Sequence, residues 1–559
     1  MSILDSKRTE TVLKVALALA LFALVNLLAG RYFFRLDLTE EKRYSITPAT
    51  KEYLQQLPDL VTVEVYLAGE LPAHFKRMQK ALLETLDEFN VYSHGKVVYQ
   101  LIDPAAAGSA KSRAGFMQNL IKKGLQPTDV VLTEEGKRLQ KRIFAGVMVN
   151  YGSRELAVQL FKGNTAAPPE VRINQSIEGI EYELINAIHQ ITRDQRPLVA
   201  LTTGHREADS VEMVSFKNLL REQYRLRELT PDRLAEVQPD VLLLIQPKEK
   251  FSEADKYYLD QYIMQGGKAI FMLDKVAVNM DSAASGTYTF PYDLNLDDLL
   301  FRYGVRINND LVQDFVAGSY PVVIGQAGDQ PQIQLLQWPF YPVINNYANH
   351  VIVRNLDASL TRFVSSIDTV KAQGIRKTIL MTSSPYSRIS RAPVYVDINI
   401  LQENLLPEKF DKQHIPVACL LEGSFTSLYK NRFLPDGVDG RGFAEQGKPT
   451  ALVVIADGDF VKNTTDPRSG APLPVAFDPF MRQQFANADL VLNAIQYLLE
   501  GNGLIAARAR QVIIRPLDKV KVDENRQMIR LINLAVPLVL ITLLGIGVFV
   551  YRKRKYTRF

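Results

Sequence analysis

The chain has 559 residues, a formal net charge of +5 and a single cysteine, Cys419. This length exceeds what one hydrophobic core can serve, so two or three domains are expected, and the small net charge gives no electrostatic footprint for nucleic acid. A single cysteine excludes an intramolecular disulfide, a CxxC redox pair and a zinc site built on cysteines.

Two apolar segments predict membrane-spanning helices. Residues 531–551 carry no charge, and at about 1.5 Å per residue such a segment crosses a hydrocarbon core of about 30 Å. Residues 11–30 contain a shorter uncharged run, which we interpret as an uncleaved anchor because LLAGRYFF lacks the small-x-small pattern of a signal cleavage site. The basic tail RKRK at 552–555 predicts a cytoplasmic C-terminus. Two spans then place the body of the chain outside the cytoplasm, in the periplasm of a Gram-negative cell.

The first predicted domain between the two spans alternates strands with helices. Apolar residues recur at three and four positions in 71–92, which predicts an amphipathic helix. The predicted strands are 62–67, 96–102, 129–133 and 143–151, the predicted helices are 71–92, 114–123 and 176–192, and a linker is predicted at 163–172. The order suggests a small thioredoxin-like layer, without the cysteine pair that would give it redox chemistry.

The second predicted domain begins after Pro197. Its near-continuous apolar strands alternate with helices, which predicts a doubly wound parallel sheet covered on both faces. The predicted strands are 198–203, 240–246, 268–274, 378–382, 416–422 and 451–456, and the predicted helices are 210–223, 252–265 and 489–499. Helix 252–265 is expected to be capped by Ser252 and ended by Gly266-Gly267. Residues 276–375 are rich in Asn, Gly and Pro and are predicted to be irregular.

The stretch LVALTTGHREAD at 198–209 runs from a buried strand into polar residues. Ligands bind at the carboxyl ends of strands in a doubly wound sheet, so His205, Glu207 and Asp209 could act as an acid/base or as metal ligands. The alternative, which we favour, is an ordinary turn, with Gly204 allowing a tight exit and Asp209 forming a helix capping box with Glu212. His205 and Glu207 are then expected to contact a ligand or partner rather than to catalyse.

A second pair of acids, Asp457 and Asp459, follows the strand 451–456. Paired acids at a strand end could hold a cation, but two ligands are few, and we favour a glycine turn with solvated carboxylates. Both loops are expected at one edge of the sheet. The candidate ligand- or partner-binding residues are Gly204, His205, Glu207, Asp457 and Asp459; no catalytic residue, metal ligand or cofactor is predicted.

Three other motifs predict no chemistry. Residues 442–448, GFAEQGK, match the start of a phosphate-binding loop, but Pro449 stands where Ser or Thr should hold Mg²⁺, and the stretch precedes a strand. Any ATP hydrolysis therefore belongs to another chain. Cys419 lies inside an apolar run, which favours a buried structural cysteine over a nucleophile. The aromatic run WPFYP at 338–342 could stack on a sugar or a partner protein, or form a packed loop.

Several phrases taken together resemble a known family. They are RYSIT at 43–47, TGHRE at 203–207, the long stretch 239–274, TSSPYS at 382–387, LEGSFTS at 421–427, ADGDF at 456–460 and RKRKY at 552–556. In this order they resemble the GldG family, the gliding-motility-associated auxiliary component of ABC transporters. The family's TGHGE phrase has Gly where this chain has Arg206.

The resemblance implies an inner-membrane protein that works with a multispan permease and a separate cytoplasmic ATPase. It also implies a middle domain similar to class I glutamine amidotransferases without their catalytic cysteine. Asp274-Lys275 follows the strand where such enzymes would place the nucleophile, and Cys419 lies elsewhere. This placement argues against amidotransferase chemistry.

The sequence therefore predicts a non-catalytic, extracytoplasmic subunit of an ABC transporter complex that binds a substrate or partner proteins. Alternatives are a membrane-anchored hydrolase or amidase that uses His205, Glu207 and the acids at 457–459, and a scaffold that binds other envelope proteins. The predicted segments are a cytoplasmic tail (1–14), a transmembrane helix (15–34), a thioredoxin-like α/β domain (37–162), a linker and helix (163–196), an amidotransferase-like α/β domain (197–504), a stalk (505–528), a second transmembrane helix (529–551) and a basic cytoplasmic tail (552–559). The predicted partners are the permease, the ATPase and the lipid bilayer.

Overall fold

The structure is a computed structural model. It describes residues 14–24, 45–106, 108–134, 137–161, 169–278, 286–327, 330–398, 406–466, 469–500, 503–504, 507 and 525–556. Chain contacts separate a large compact unit, which extends to Arg510, from a small unit that contains the C-terminal helix. Within the large unit, buried apolar side chains form two main clusters. One consists mostly of residues between 46 and 191, among them those of a long connecting helix, and the other consists mostly of residues between 199 and 507.

The N-terminal part of the large unit is a mixed α/β layer. Its elements are α1 (Lys14–Leu24), α2 (Pro48–Gln55), β1 (Val61–Val65), α3 (Ala73–Tyr92), β2 (Val97–Leu101), α4 (Ala110–Lys122), β3 (Pro127–Glu134), β4 (Lys137–Phe144), β5 (Gly146–Tyr151), β6 (Arg154–Gln159) and α5 (Pro169–Thr192). A four-stranded sheet has the order β2-β1-β5-β6, in which only the β1–β2 pair is parallel. The predicted amphipathic helix is confirmed as α3, and its apolar face is buried.

Two predictions in this layer are wrong. Residues 143–151, predicted as one strand, belong to β4 and β5, which are separated by Ala145. Helix α5 begins at Pro169, inside the predicted linker 163–172, because proline fits the first turn of a helix, where its missing N–H is not needed. Residues 163–168 of that linker lie outside the described part of the chain.

The second α/β part begins at β7. Its first elements are β7 (Leu198–Thr202), α6 (Val214–Gln223), β8 (Arg225–Leu229), a 3₁₀ turn (Pro231–Arg233), α7 (Leu234–Val237), β9 (Val241–Ile245), α8 (Glu253–Met264) and β10 (Ala269–Met272). The later ones are β20 (Ile375–Thr382), β21 (Ser387–Arg391), β22 (Val394–Val396), a 3₁₀ turn (Pro407–Lys409), β23 (Pro416–Thr426), β24 (Gln446–Ile455), β25 (Asn463–Thr465), β26 (Pro472–Val475), β27 (Phe477–Asp478), β28 (Gln483–Gln484) and α10 (Asn487–Glu500). Ser252 and Asp255 form a full capping box on α8, which confirms the predicted N-cap.

An eight-stranded sheet forms the centre of this part, in the order β17-β20-β23-β24-β10-β9-β7-β8, where β17 is Asn346–Tyr347. The five strands from β24 to β8 are mutually parallel, as predicted. The prediction of a wholly parallel sheet is wrong, because β23, β20 and β17 add antiparallel pairs. Strand β23 is followed along the chain by its own partner β24, and antiparallel neighbours need no helical crossover between them.

The region predicted to be irregular, 276–375, is largely β-structure. It contains β11 (Val276–Ala277), β12 (Thr287–Pro291), α9 (Asp297–Tyr303), β13 (Val305–Ile307), β14 (Asp310–Asp314), β15 (Ala317–Ala327), β16 (Gln330–Ile344), β17, β18 (Ser359–Leu360) and β19 (Ile367–Thr369). β15 and β16 form a long antiparallel hairpin. Trp338 on β16 is fully buried against Phe340 and Phe363, so the aromatic run is a packed core and not an open stacking platform.

One helix of the described chain is long and apolar enough to cross a membrane. It is α11 (Arg526–Tyr556), whose apolar side chains are exposed along its length. The described part of the first predicted span is the shorter apolar helix α1, and residues 25–34 of that span lie outside the described residues.

Candidate functional site

The carboxyl ends of β7, β9, β10 and β24 meet at one edge of the large sheet, because these four strands are parallel and adjacent. Each strand is followed there by polar residues. The loop 203–209 follows β7, Gln246 follows β9, Asp274 follows β10, and Asp457 and Asp459 follow β24. Both predicted candidate groups therefore lie at the edge where folds of this kind bind ligands.

Two residues of the loop after β7 have positive backbone φ angles. Gly204 has φ +109°, the left-handed region that glycine enters without steric cost, which fits the predicted tight exit. Arg206 also has a left-handed φ, +50°. A residue with a Cβ is strained in this region, so the backbone conformation alone accounts for a glycine at this position in the family's TGHGE phrase.

His205 is buried rather than presented at the surface. Its ring stacks on Phe251 with centroids 3.6 Å apart and planes 10° from parallel. Its carbonyl oxygen accepts hydrogen bonds from the backbone N–H groups of Lys248 and Glu249. The side chain predicted to contact a ligand is therefore packed between its own loop and the segment that leads into α8.

Two carboxylates flank the His205 ring. Nδ1 lies 3.6 Å from Oε1 of Glu207, and Nε2 lies 3.4 Å from Oδ2 of Asp255. Burial disfavours the charged imidazolium, but these two carboxylates outweigh it and raise the pKa of His205. Burial also acts to raise the pKa of Glu207. The contacts of Glu207 with His205 outweigh this effect and lower the pKa of Glu207. The two predicted residues, His205 and Glu207, are thus brought together.

Asp209 caps a backbone turn together with Glu212, as predicted, but this turn precedes the helix. Its carboxylate accepts hydrogen bonds from the Val211 N–H and the Ser210 hydroxyl, and its own N–H donates to Glu212 at 3.3 Å. The glutamate half of the capping box is present. Helix α6 begins only at Val214, so the predicted start at residue 210 is wrong, and the capped segment is a turn that leads into the helix.

A cavity of about 180 Å³ opens beside this loop, between the ends of β7, β8 and β9 and the start of α6. Strand β7 pairs with β8 on one side and with β9 on the other, so this is the point where the strand order reverses. Thr202 and Glu207 line the cavity. Thr202 Oγ1 and Glu207 Oε1 are buried and make no hydrogen bond to the residues that the structure describes, although Oε1 lies 3.6 Å from His205 Nδ1. Lys217 and Glu228, which pair at 2.7 Å, line it as well.

The second group is larger than the sequence indicated. Asp274, Asp457 and Asp459 bring one carboxylate oxygen each to within 4.8 Å of one another. Asp457 is fully buried and Asp274 is 7% exposed, so the prediction of solvated carboxylates is wrong for Asp457. Gly458 lies between Asp457 and Asp459 in the chain. Its N–H donates to Asp274 Oδ1 at 2.6 Å, and a Cβ at position 458 would lie 2.8 Å from Asp274 Oδ2. This close approach requires glycine.

Burial and mutual repulsion shape the electrostatics of this acidic cluster. Burial, followed by the charge of Asp459, raises the pKa of Asp274 to about 7. The same two causes, together with Asp274 itself, raise the pKa of Asp457 well above its usual range. Asp457 also accepts backbone N–H bonds from Arg362 and from Asp459, which partly offset that effect.

Sequence reasoning missed Gln246 and Asp274. Gln246 donates from Nε2 to Asp274 Oδ2 at 2.7 Å and to Asp459 Oδ1 at 2.9 Å. A signal was present, since the runs VLLLI, KAIFML and ALVVIA are each followed by a polar residue, at positions 246, 274 and 457. The sequence could not show that the three strands are neighbours.

The remaining motifs agree with the sequence analysis. Cys419 lies within β23; burial raises the pKa of its thiol to about 12, which keeps it protonated and unfit as a nucleophile. Residues 442–448 run into the start of β24, so no strand leads into this glycine stretch as a phosphate-binding loop requires.

A larger cavity of about 1170 Å³ lies away from the strand ends, beside β13, β14 and β19. Its lining is rich in cationic side chains. They are Arg302, Arg306, Arg391, Lys412, Lys430 and Arg432, with the acids Asp297, Asp298, Asp310 and Asp368 among them. Some are already paired, as Arg306 is with Asp368 at 2.6 Å.

A comparison with known families places the chain among the auxiliary components of transport systems. Residues 196–494, more than half of the chain, match the family described as ABC-type uncharacterized transport system, and the chain belongs to this family of ABC transporter auxiliary components. The match confirms the resemblance drawn from the sequence phrases. Residues 40–150 match a domain of unknown function.

The other similar proteins do not indicate a reaction or a ligand for this chain. The chain is 20% identical over 453 residues to an uncharacterized protein of Borreliella burgdorferi, covering 77% of this chain and 80% of that protein. Among solved structures, the mmIFT52 N-terminal domain has a TM-score of 0.30 at 15% identity, covering 55% of this chain and 98% of that one. The exo-β-1,4-mannosidase Op5Man5 from Opitutaceae bacterium strain TAV5 has a TM-score of 0.18 at 10% identity, covering 71% and 47%. We draw no conclusion about fold or function from similarities at these TM-scores.

Proposed function

We propose that this protein is a non-catalytic, membrane-anchored subunit of an ABC transporter complex, with its body outside the cytoplasm and a link to gliding motility. The observation that carries the proposal is the family match over 196–494. The permease and a separate cytoplasmic ATPase are the proposed partners, since the glycine stretch 442–448 has neither the residues nor the position of an ATP-binding loop.

The C-terminal helix supports the membrane anchor. Helix α11 exposes its apolar side chains, which a helix in lipid is expected to do. The cluster Lys553–Lys555 in its last turn favours a cytoplasmic end. With the apolar segment 15–34 as a first span, residues 37–504 would lie on the far side of the membrane.

The strand orders support the proposed domains. The N-terminal layer runs strand, helix, strand, helix and then antiparallel strands before α5, which is the order expected of a thioredoxin-like domain over 37–162. The parallel strands β24 to β8 support the amidotransferase-like assignment over 197–504. Asp274 and Lys275 take the position after β10 at which the resemblance would place a nucleophile, which favours binding over catalysis.

We place the ligand site of this subunit in the cavity at the strand-order reversal. Its lining combines apolar side chains with the Thr202 hydroxyl and the Glu207 carboxylate, both of which offer a buried oxygen to a ligand. Such a lining suits a small molecule with an apolar body and a hydrogen-bond-donating or cationic group. Gly204 and His205 then position Glu207 rather than touch the ligand.

Two experiments test the proposal. Full-length protein, extracted from its own membrane in mild detergent, is expected to bring the permease and the ATPase with it; extraction of the chain alone would contradict the transporter role. A matched control replaces 526–555 with an unrelated single-span helix, which distinguishes association through the body from association through α11.

Orientation is tested by cysteine labelling, because the native Cys419 is buried and gives little background. Ser153→Cys, in the exposed turn between β5 and β6, is expected to react with a membrane-impermeant maleimide in cells with a permeabilised outer membrane. Thr557→Cys in the tail is expected to react only after lysis. The reverse pattern would invert the proposed topology.

A further inference from the structure

The large cavity beside β13, β14 and β19 has positive charge that its own acids do not neutralise. Arg302, Arg391 and Lys412 line it and are exposed. None of the three forms an ion pair with a residue that the structure describes. A concave surface lined with an excess of one sign of charge attracts ligands of the opposite sign, so this cavity favours an anionic ligand.

The acids of the lining are already engaged. Each accepts a hydrogen bond or an ion pair from a neighbouring side chain or backbone group. These contacts join Asp297 to Lys275, Asp298 to Lys256 and Arg432, Asp310 to Ser366, and Asp368 to Arg306. Lys256 and Lys275 are buried outside the lining, so they take up acidic charge without adding an exposed cation to the cavity.

Strand β21, which borders the cavity, has one edge turned away from its partner β14. The two strands are antiparallel, and the N–H of Ala392 donates to the carbonyl oxygen of Asn309 in their ladder. Antiparallel neighbours alternate between residues that bond across the pair and residues whose backbone groups point outward. Counted from Ala392, the backbone N–H and carbonyl groups of Ser387, Ile389 and Arg391 point away from β14.

This outward edge of β21 is paired at one end and open at the other. Ser387 exchanges both of its backbone hydrogen bonds with Lys412, in an antiparallel bridge. Beyond that bridge, the outward groups of Ile389 and Arg391 have no backbone partner in the part of the chain that the structure describes. Ile389, Arg391 and Lys412 all line the cavity. The open edge and the unpaired cations therefore belong to the same site.

We propose that this cavity binds an acidic, extended peptide segment of a partner protein, which adds as an antiparallel strand to the open edge of β21. The segment continues the pairing that Lys412 begins. Its residues opposite Ile389 and Arg391 place their side chains on the face that carries those two residues, so carboxylates at these positions meet the unpaired cations. Main-chain hydrogen bonds supply affinity in this mode of recognition, and alternate side chains supply specificity. The proposal does not depend on the role in transport.

The first test measures binding directly. Full-length protein in detergent is titrated into a short fluorescent peptide of alternating Glu and Thr, and fluorescence anisotropy reports the bound fraction. We expect saturable binding that weakens as NaCl is added, because salt screens the exposed charges. A peptide with Gln in place of Glu should bind at least about tenfold more weakly. No binding of the Glu peptide at about 1 mM protein, or binding of dextran sulfate in its place, would overturn the proposal.

Two N-methylated forms of the peptide test the strand pairing. In the proposed arrangement the N–H groups of the Glu residues face β21, whereas those of the Thr residues face away from it. Methylation of the Glu nitrogens should therefore abolish binding, and methylation of the Thr nitrogens should leave most of it. Equal affinities of the two methylated peptides would overturn the pairing, because the two peptides have the same charge and differ only in which edge is blocked.

Charge variants locate the site on the chain. Arg391→Gln and Lys412→Gln should each weaken binding of the Glu peptide about two- to fivefold, the usual size of an exposed ion pair, and together by more. Lys76→Gln is the matched control, since Lys76 is an exposed cation on α3 outside the lining and its loss changes the net charge equally. Equal affinities in all three variants would place the peptide elsewhere and overturn the site.

The open edge is tested at Ile389. Ile389→Pro removes an N–H that makes no bond to β14, so the variant should fold, as thermal unfolding will show, and should bind the Glu peptide at least about tenfold more weakly. Ile389→Val keeps the N–H and a similar shape and should bind like the wild type. Equal binding by both variants would overturn the strand pairing; if Ile389→Pro does not fold, the two methylated peptides decide the same question.

Discussion

Two acidic regions at the same sheet edge differ in how their charge is balanced. In the loop after β7, Glu207 and Asp255 flank a histidine whose pKa is raised, so the negative charge has a nearby partner that can carry a proton. In the cluster after β10 and β24, three carboxylates share one lysine. In the first region, a protonated His205 would offset part of the negative charge of the two carboxylates. The second remains strained until a proton enters.

The largest expected effect is the pH dependence of the acidic cluster. The folded-state pKa of Asp274 is raised to about 7, so between about pH 4 and pH 7 the folded state binds more protons than the unfolded state. In EDTA, the free energy of unfolding should therefore fall as pH rises through this window, by up to about 4 kcal/mol. Denaturant titrations at pH 5 and pH 8 measure the change.

Asp274→Asn should flatten that profile. An unchanged slope in the variant would show that Asp274 does not carry the effect. Asp297→Asn serves as the control, since Asp297 pairs with Lys275 near the same strand end and lies outside the cluster.

In the His205 loop the protonated form that stabilises the fold is charged, whereas in the acidic cluster it is neutral. The raised pKa of His205 means that the imidazolium stabilises the fold fully below about pH 6.5, the unfolded value, and that this contribution is lost as pH rises through the folded pKa. His205→Asn should therefore cost about 1–2 kcal/mol at pH 5.5 and less at pH 9, including the lost stacking on Phe251. An equal loss at both pH values would show that stacking alone is responsible.

Thr202→Val should have a small effect on stability. The two side chains have similar shapes, and the buried Thr202 hydroxyl has no partner among the described residues, so its removal should be neutral or stabilise by up to about 1 kcal/mol. Thermal unfolding without added ligand measures this. A clear loss of stability would reveal a hydrogen bond to ordered water in the cavity, which would weaken the case for a ligand there.

The smallest effect is expected at Arg206. Its left-handed φ costs about 1 kcal/mol, and glycine removes that strain while adding a comparable entropy to the unfolded chain, so Arg206→Gly should change stability by less than about 1 kcal/mol. Arg221→Gly, in helix α6, should instead destabilise by about 1 kcal/mol. Similar losses in both variants would contradict the conformational account of the TGHGE glycine.

Local patterns predicted most elements, and the largest error concerns the region 276–375. The 3.6-residue repeat identified α3, and the Ser252 cap identified the start of α8. The region 276–375 was misjudged because its strands carry Pro and Gly, as at Pro321 and Gly325 in β15. Such residues normally mark turns, and only the pairing of β15 with β16 makes this segment a hairpin.

The sequence by itself determined where strands end in polar residues, which segment is apolar enough to cross a membrane, and the family to which the chain belongs. These properties depend on neighbours along the chain. Only the tertiary structure decided that β9, β10 and β24 are adjacent, which brings Gln246, Asp274 and Asp457 together, and that Phe251 covers His205. Strand order depends on packing between residues up to about two hundred positions apart in this chain, as Gly458 and Asp274 show with a separation of 184. No local periodicity records such a contact.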